Sequence, residues 1–532
     1  MNDVAANRID ETTGERRALM QRRVAPMSEW PPGRRARRAV ILAFAFTALF
    51  FTGFITPHGN PNELSRIEAV VSFVERGTFS IDGAIADLGD HEDKSFSGGR
   101  FYSNKAPGLI FAMIPPYAAL RLLFPPPSSG TAWIFVLVRL ATVTLASLCA
   151  LALLGQRLAD TRNRAETAPL VLFAVAFGTP FLFYARSLFS HAWCASLLFL
   201  SWDALRRGES AGNDRARGAW PFLAGLLAGW AAISEFPTVP IAVVLTARAA
   251  AGRWRALLFF GLGALGPLAL LAAYNAACFG SPFTLSYARE AAPQYAALVS
   301  HGLFGIGVPS PRSIGLLLFH PARGILLFSP FLVWGIAGII RWWRSGQERA
   351  DCLFVLAATV ALFVPIAGYG RWDGGFSLGV RYVVPVMLIA ALPLQRALAS
   401  AWSRGLFLAA VAFSAANHFL VSSVMPHVPP TVPWPAASLS VWMISSGWVA
   451  PNLGLAAGLT PAVSLTAPLV AAVAAAALCL PPLGRFRRRA TLAAVVGLLL
   501  FLATLLCAPA LSPKDEQWRA TFTQYLVSLL RH

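Results

Sequence analysis

The chain has 532 residues, 56% of them hydrophobic and only 13% charged, about half the charged share of an ordinary soluble domain (~25%). Apolar runs of about 17–25 residues recur from residue 39 to residue 510. They exclude a string of soluble domains and predict an all-α, polytopic integral membrane protein. The net charge is +19, but the basic residues, all arginine except three lysines, lie in short clusters between the apolar runs. That spacing follows the positive-inside rule and excludes a nucleic-acid partner, which would need one basic domain.

Residues 1–38 hold nine arginines and no cleavable-signal pattern. They read as a disordered basic cytoplasmic tail, with RRARR at 34–38 setting the orientation of the first span. Placing every later arginine cluster inside gives one consistent topology for a single membrane domain, 39–510. Its spans are approximately 39–56, 131–154, 168–185, 189–205, 219–233, 236–250, 255–275, 324–341, 351–368, 382–398, 404–424, 461–482 and 489–510, about 13 transmembrane helices. Residues 109–124 are apolar but contain Pro115-Pro116 and stop at Pro125-Pro126-Pro127, so they are expected to dip into the outer leaflet without crossing. The tail 511–532 is expected outside, as a short surface helix with no catalytic role. The varied polar side chains then collect on the outer face and mainly arginine-rich connectors on the inner one, so the active face is expected outside.

Six cysteines, none in a CxxC pair and most within apolar runs, read as small buried hydrophobes rather than zinc ligands or a disulfide framework. The outside histidines lack ligand spacing, so no metal site is assigned; carboxylates of the first loop leave room for a divalent cation.

The first outside loop, 57–108, carries eight carboxylates and two of the three lysines. In NELSRIEAVVSFVERG, Leu64, Ile67, Val70, Val71 and Val74 follow the i, i+3, i+4, i+7 pattern of one apolar helical face. With Asn62 as its N-cap, this helix is expected to lie along the outer membrane surface, with Glu63, Arg66, Ser72 and Glu75 largely off the apolar face and Glu63 held close to where a lipid head group meets water. Downstream, GRFYSNKAPG places Lys105 on a turn before the dipping segment. There it could snorkel at the interface or hold a phosphate as a compact point charge.

Taken in order, a first span, an acidic loop opening with NELSR, a segment ending in ERGTF, and GRFYSNKAPG running into an apolar helix resemble the GT-C membrane glycosyltransferases that use polyprenyl-phosphate sugars. The lipid A aminoarabinose transferases and the protein O-mannosyltransferases are the most similar of these. The resemblance is strongest over about residues 40–125. The family's Asp-Glu pair falls on Asn62-Glu63, so its first carboxylate is here an amide, and its Lys-Pro-Pro turn falls on Lys105-Ala106-Pro107. The resemblance implies a sugar donor linked to a polyprenyl phosphate in the outer leaflet. A carboxylate base, Glu63 or Glu68, would act on the acceptor, and Lys105 with Arg66 and Arg381 would hold the donor phosphate.

Other outside segments supply candidates for sugar or acceptor binding. Residues 369–382, YGRWDGGFSLGVRY, offer Trp372, Asp373 and Tyr382 beside Arg381, or else form an interfacial belt of anchors. Glu235 sits in ISEFP between two short spans, as a functional carboxylate or a hairpin-tip partner of an arginine. His191 lies at another outside tip, as a donor contact or a structural hydrogen bonder. Asn62 and Tyr102 complete the set.

The expected function is thus an inverting glycosyltransferase (a hexosyl- or pentosyltransferase) of the inner cell membrane, N-terminus cytoplasmic, acting in cell-envelope glycan biosynthesis. Its partners would be a polyprenyl-phosphate sugar, membrane lipids and a lipid, glycan or protein acceptor, with no cofactor assigned. The alternatives are a transporter or flippase of a lipid-linked sugar, or a non-catalytic lipid- or glycan-binding protein on the same fold.

Overall fold

The first helix, α1 (Pro32–Phe50), begins at a proline, which suits the first helical turn because its missing N–H has no intrahelical acceptor there. The computed structural model describes residues 32–52, 60–127, 133–161, 164–252, 254–480, 486–507, 511–517 and 519–521. The tail expected over 1–38 is corrected at its end: RRARR lies within α1, since arginine is a good helix former and the apolar run carries the helix back through it. Residues 1–31 lie outside the described residues, as does most of the tail 511–532. Asp515, within the described part of that tail, is buried and accepts hydrogen bonds from Ser512 and Thr431.

Six helices among the described residues are long and apolar enough to cross a membrane: α5 (Ile134–Asp160), α10 (Trp254–Phe279), α11 (Arg349–Gly368), α12 (Ala401–Val424), α13 (Pro461–Leu478) and α14 (Arg487–Leu506). Between them in sequence lie α6 (Ala168–Phe177), α7 (Ser190–Glu209), α8 (Asp214–Ser234) and α9 (Val239–Ala250). α10 turns Leu258, Leu262, Leu265 and Leu268 outward, as a lipid-facing helix does. On its other side it packs against α8 at backbone contact. A Cβ on Gly225 would stand 1.8 Å from Phe260 O, and one on Gly263 2.0 Å from Phe222 O. Only small residues permit such an approach.

Two expected spans are broken rather than continuous. The stretch 324–341 consists of Ile325–Phe328, a 3₁₀ turn Pro330–Val333 and Trp334–Arg344. The stretch 382–398 consists of a 3₁₀ segment Arg381–Val386, then Met387–Ala390 and Leu394–Ala397. Pro330, Pro385 and Pro393 explain the breaks, because each lacks an N–H and crowds the preceding turn.

The first loop is a folded unit: α2 (Pro61–Arg76), α3 (Asp82–Leu88), the antiparallel hairpin β1 (Lys94–Ser97) and β2 (Arg100–Ser103), and α4 (Gly108–Arg121). The hairpin is an exception to the all-α expectation. Gly98 and Gly99, both at positive φ, make the two-residue turn that a hairpin needs. α4 has 14 residues, about 21 Å of helix, shorter than a ~30 Å hydrocarbon core.

The surface position expected for α2 is overturned. Its residues 62–72 are buried on every side, because its polar groups have protein partners instead of water. Ser65 bonds Ser103 at 2.7 Å, Arg66 Nη1 donates to Asn62 O at 2.7 Å, and Glu68 meets His91 at 2.7 Å. The N-cap is also shifted: Asn60, not Asn62, accepts the cap bond, from Asn62 N at 2.9 Å. α4 docks the loop onto the bundle, its Gly108 so near the end of α8 that a Cβ would stand 2.3 Å from Ser234 Oγ.

Candidate functional site: a charged cavity under the first loop

A cavity of about 490 Å³ opens between the first loop, the start of α7, the turn after α8, the segment 287–299, the loop 369–382 and His427. It has the size of a small-molecule site. Seven residues singled out from sequence line it: Asn62, Arg66, Lys105, His191, Glu235, Arg381 and Tyr382. They come from five separate stretches of chain: α2 supplies Asn62 and Arg66, α7 His191 and the turn after α8 Glu235.

Five others do not line it. Glu63 is buried behind the wall, where Oε1 accepts the Leu188 N–H at 2.7 Å and Oε2 lies 4.0 Å from His427 Nε2, too far for a hydrogen bond. Burial pushes its carboxyl up to about 7. Glu68 is buried against His91, and burial raises its carboxyl as well. Tyr102 packs edge-on to Phe279, with ring centroids 5.7 Å apart. Trp372 packs on His320 at 5.3 Å. Asp373 accepts the Gly375 N–H at 2.6 Å and shapes its own turn.

Within the cavity, Lys105 Nζ pairs with Asp93 Oδ2 at 2.9 Å. Burial works against both charges. At Asp93 the neighbouring ammonium outweighs it and holds the carboxyl below its usual range; at Lys105 burial leaves the ammonium below its own. Glu235 accepts a hydrogen bond from Ser190 and lies 3.9 Å from Arg66 and 3.8 Å from His191. Arg66 also donates to the Asn62 side-chain oxygen and to Ser190 Oγ. An amide at 62 leaves the guanidinium un-neutralised by its helical neighbour. Arg381 donates to Tyr382 Oη at 3.1 Å and lies over the Phe189 ring. The Tyr382 ring meets His191 and Tyr369 edge-on, at 5.7 and 5.5 Å.

Sequence reasoning missed Glu290 and Asp93. Glu290 lines the cavity, is half-buried, and accepts both hydrogen-bond contacts of Asn104 Nδ2, at 2.9 and 3.2 Å. Burial pushes its carboxyl up to about 7. It arrives there because the edge of β1 captures the distant segment: Ala291 N donates to Lys94 O at 3.0 Å, and Ser95 and Glu290 form a bridge. No local pattern around residue 290 announces that pairing. Asp93 was one of eight loop carboxylates, and only its contact with Lys105 distinguishes it. Among the described residues no three His, Cys, Asp or Glu side chains are grouped to hold a metal ion.

The cavity lining brings four carboxylates, Glu92, Asp93, Glu235 and Glu290, together with a lysine and three arginines, Arg66, Arg371 and Arg381. It can accept a proton from one bound group and stabilise negative charge on another.

No protein-family profile and no curated protein sequence matches the chain. Among solved structures it is similar to ArnT, the lipid A aminoarabinose transferase, from Cupriavidus metallidurans in the apo state, with 18% identity over 87% of this chain and 75% of that one and a TM-score of 0.48. The same enzyme bound to undecaprenyl phosphate gives 17% identity over 87% and 76%, TM-score 0.46. The Archaeoglobus fulgidus oligosaccharyltransferase AglB, in complex with an inhibitory peptide and a dolichol phosphate, gives 14% identity over 82% and 56%, TM-score 0.41. ArnT is one of the two families that the first-loop motifs resemble.

Proposed function

We propose that the chain is an inverting membrane glycosyltransferase that moves a sugar from a polyprenyl-phosphate donor to an acceptor at the outer face of the cell membrane. The supporting observation is that one cavity holds a half-buried carboxylate raised to about 7, Glu290, together with Lys105, Arg66 and Arg381. In this reading the N-terminus is cytoplasmic, the thirteen apolar segments cross, α4 dips, and the cavity opens outward.

The donor phosphate binds Lys105, Arg66 and Arg381, and Glu290 is the base. As the acceptor oxygen or nitrogen attacks the anomeric carbon, its proton passes to Glu290. The bond from that carbon to the phosphate oxygen breaks, and the electron pair leaves on the lipid phosphate. The cations stabilise that developing charge before any solvent reorganises. One displacement inverts the anomeric centre. Glu235, Tyr382, His191 and Asn62 contact the sugar or acceptor. Glu63 and Glu68 support α2 from behind the cavity wall.

The test is transfer of radiolabelled sugar from a panel of polyprenyl-phosphate sugars, using membranes that carry wild type, Glu290→Gln, Glu63→Gln or Lys105→Ala. The reading expects transfer by wild type, its loss in Glu290→Gln with donor still bound, and its loss in Lys105→Ala with donor binding weakened. Full transfer by both of these variants overturns the residue assignments. Sugar-lipid movement across the membrane without transfer, unchanged in Glu290→Gln, overturns the reaction and favours a transporter.

A further inference from the structure

A second cavity, of about 900 Å³, lies at the opposite end of the bundle. α7 spans both, with His191 in the first and Arg206 in the second, about 22 Å apart at 1.5 Å per residue. α11 does the same, from Glu348 just before it to Tyr369 just after it. Six arginines line this second space: Arg157, Arg164, Arg206, Arg341, Arg396 and Arg404. The positive-inside rule explains arginines near these helix ends. It does not explain why six converge on one cavity, nor how their charges are left.

Four of the six have carboxylate partners: Asp203 for Arg157, Glu348 for Arg206 and Arg396, and Glu166 for Arg404. Arg164 and Arg341 do not. Among the described residues neither has a carboxylate within 4.0 Å; Arg164 donates to Arg396 O at 3.1 Å and Arg341 to Ala397 O at 3.0 Å, both main-chain carbonyls. Arg396 stacks over the Trp342 ring at 3.6 Å and Arg206 lies over Trp202 at 5.3 Å, so both guanidinium groups are held in place. Two guanidinium groups without a carboxylate partner, in a cavity lined by six arginines against the two carboxylates of Asp160 and Glu348, match the charge demand of a phosphate group, whose oxygens take paired N–H bonds.

We propose that this second cavity binds a phosphate-bearing anion, carried by a lipid head group of the adjoining leaflet or free in solution, at a site separate from the one under the first loop.

The test uses the purified full-length chain in detergent. Native mass spectrometry reads retention of phosphatidylglycerol against phosphatidylcholine, and thermal unfolding reads stabilisation by inorganic phosphate. The variants are Arg164→Gln/Arg341→Gln, Arg164→Lys/Arg341→Lys and Lys105→Ala. Retention of phosphatidylglycerol that falls at least five-fold in the Gln pair, and returns in the Lys pair, supports a lipid source. A phosphate-induced rise in melting temperature lost in the same way supports a free one. Should the Gln pair not fold, Arg341→Gln alone, at an exposed side chain, is read identically. Absence of both ligands from wild type overturns the proposal. So does binding unaffected by the Gln substitutions, or binding lost in Lys105→Ala, which would assign the anion to the first cavity. The proposal does not rest on the transferase reading and fails or stands apart from it.

Discussion

Lys105 Nζ and Asp93 Oδ2 lie 2.9 Å apart, with side chains only 10% and 14% exposed. Twelve positions apart in sequence, they flank the β1–β2 hairpin and meet at the cavity wall. Replacing one partner leaves the other charged, buried and alone, which costs about 3 kcal/mol or more, whereas replacing both removes the desolvation along with the attraction. Lys105→Met is therefore expected to lose about that much stability, and Lys105→Met/Asp93→Leu to regain most of it. Denaturation midpoints in one detergent check this; a double variant no more stable than the single one would count against the pair.

Glu290 gives a pH signature. With its carboxyl raised by burial to about 7, a base at this position is deprotonated only above neutrality. The profile of kcat/KM is expected to climb with unit slope below pH 7 and level off above it. Glu290→Gln should abolish that limb along with at least 10²-fold of the rate. A limb persisting in the residual activity would place the base elsewhere.

Glu63 gives a stability signature of opposite use. Its ordinary value is 4.5 and its folded value about 7, the shift coming from burial. The folded state thus holds the proton more tightly than the unfolded one. The stability this contributes is present below pH 4.5 and is lost as pH rises towards 7. Glu63→Gln removes the titration while keeping an acceptor for Leu188 N. Relative to wild type the variant should match at pH 4.5 and gain up to about 3 kcal/mol at pH 8. Unfolding midpoints at those two pH values decide it, and a gain at the acid end instead would contradict a buried, raised carboxyl.

Asn62 is the departure from the family pattern, and its effect is local. Its side-chain oxygen takes a hydrogen bond from Arg66; a carboxylate there would neutralise that guanidinium. Asn62→Asp is expected to raise KM for the donor several-fold and to lower kcat as well, since the cation withdrawn both holds the bound phosphate and stabilises the charge that develops on it. A rise in kcat instead would identify position 62 as a seat for the base.

How much of this was legible in the sequence differs by scale. Apolar runs marked where the helices lie, because the bilayer demands contiguous hydrocarbon-facing residues and internally bonded backbone. NELSR and GRFYSNKAPG marked the loop that roofs the cavity, and Asn62, Arg66 and Lys105 do line it. The helical pattern of α2 was read correctly but its surroundings were not: Glu63 was read on a wet polar face and is buried on a partner 125 residues away. Periodicity reports which residues share a face, not what covers that face. Glu290, joined to the edge of β1 through a bridge to Ser95, carries no local signal at all. The arginines of the second cavity were equally visible as clusters, yet their convergence on one space depends on how five helix ends pack. Local chemistry and hydrophobic periodicity are properties of neighbours in the chain, and the sequence by itself determined those. Which charges meet, which lose water and which are left without a partner depends on contacts between distant segments, and only the tertiary structure decided them.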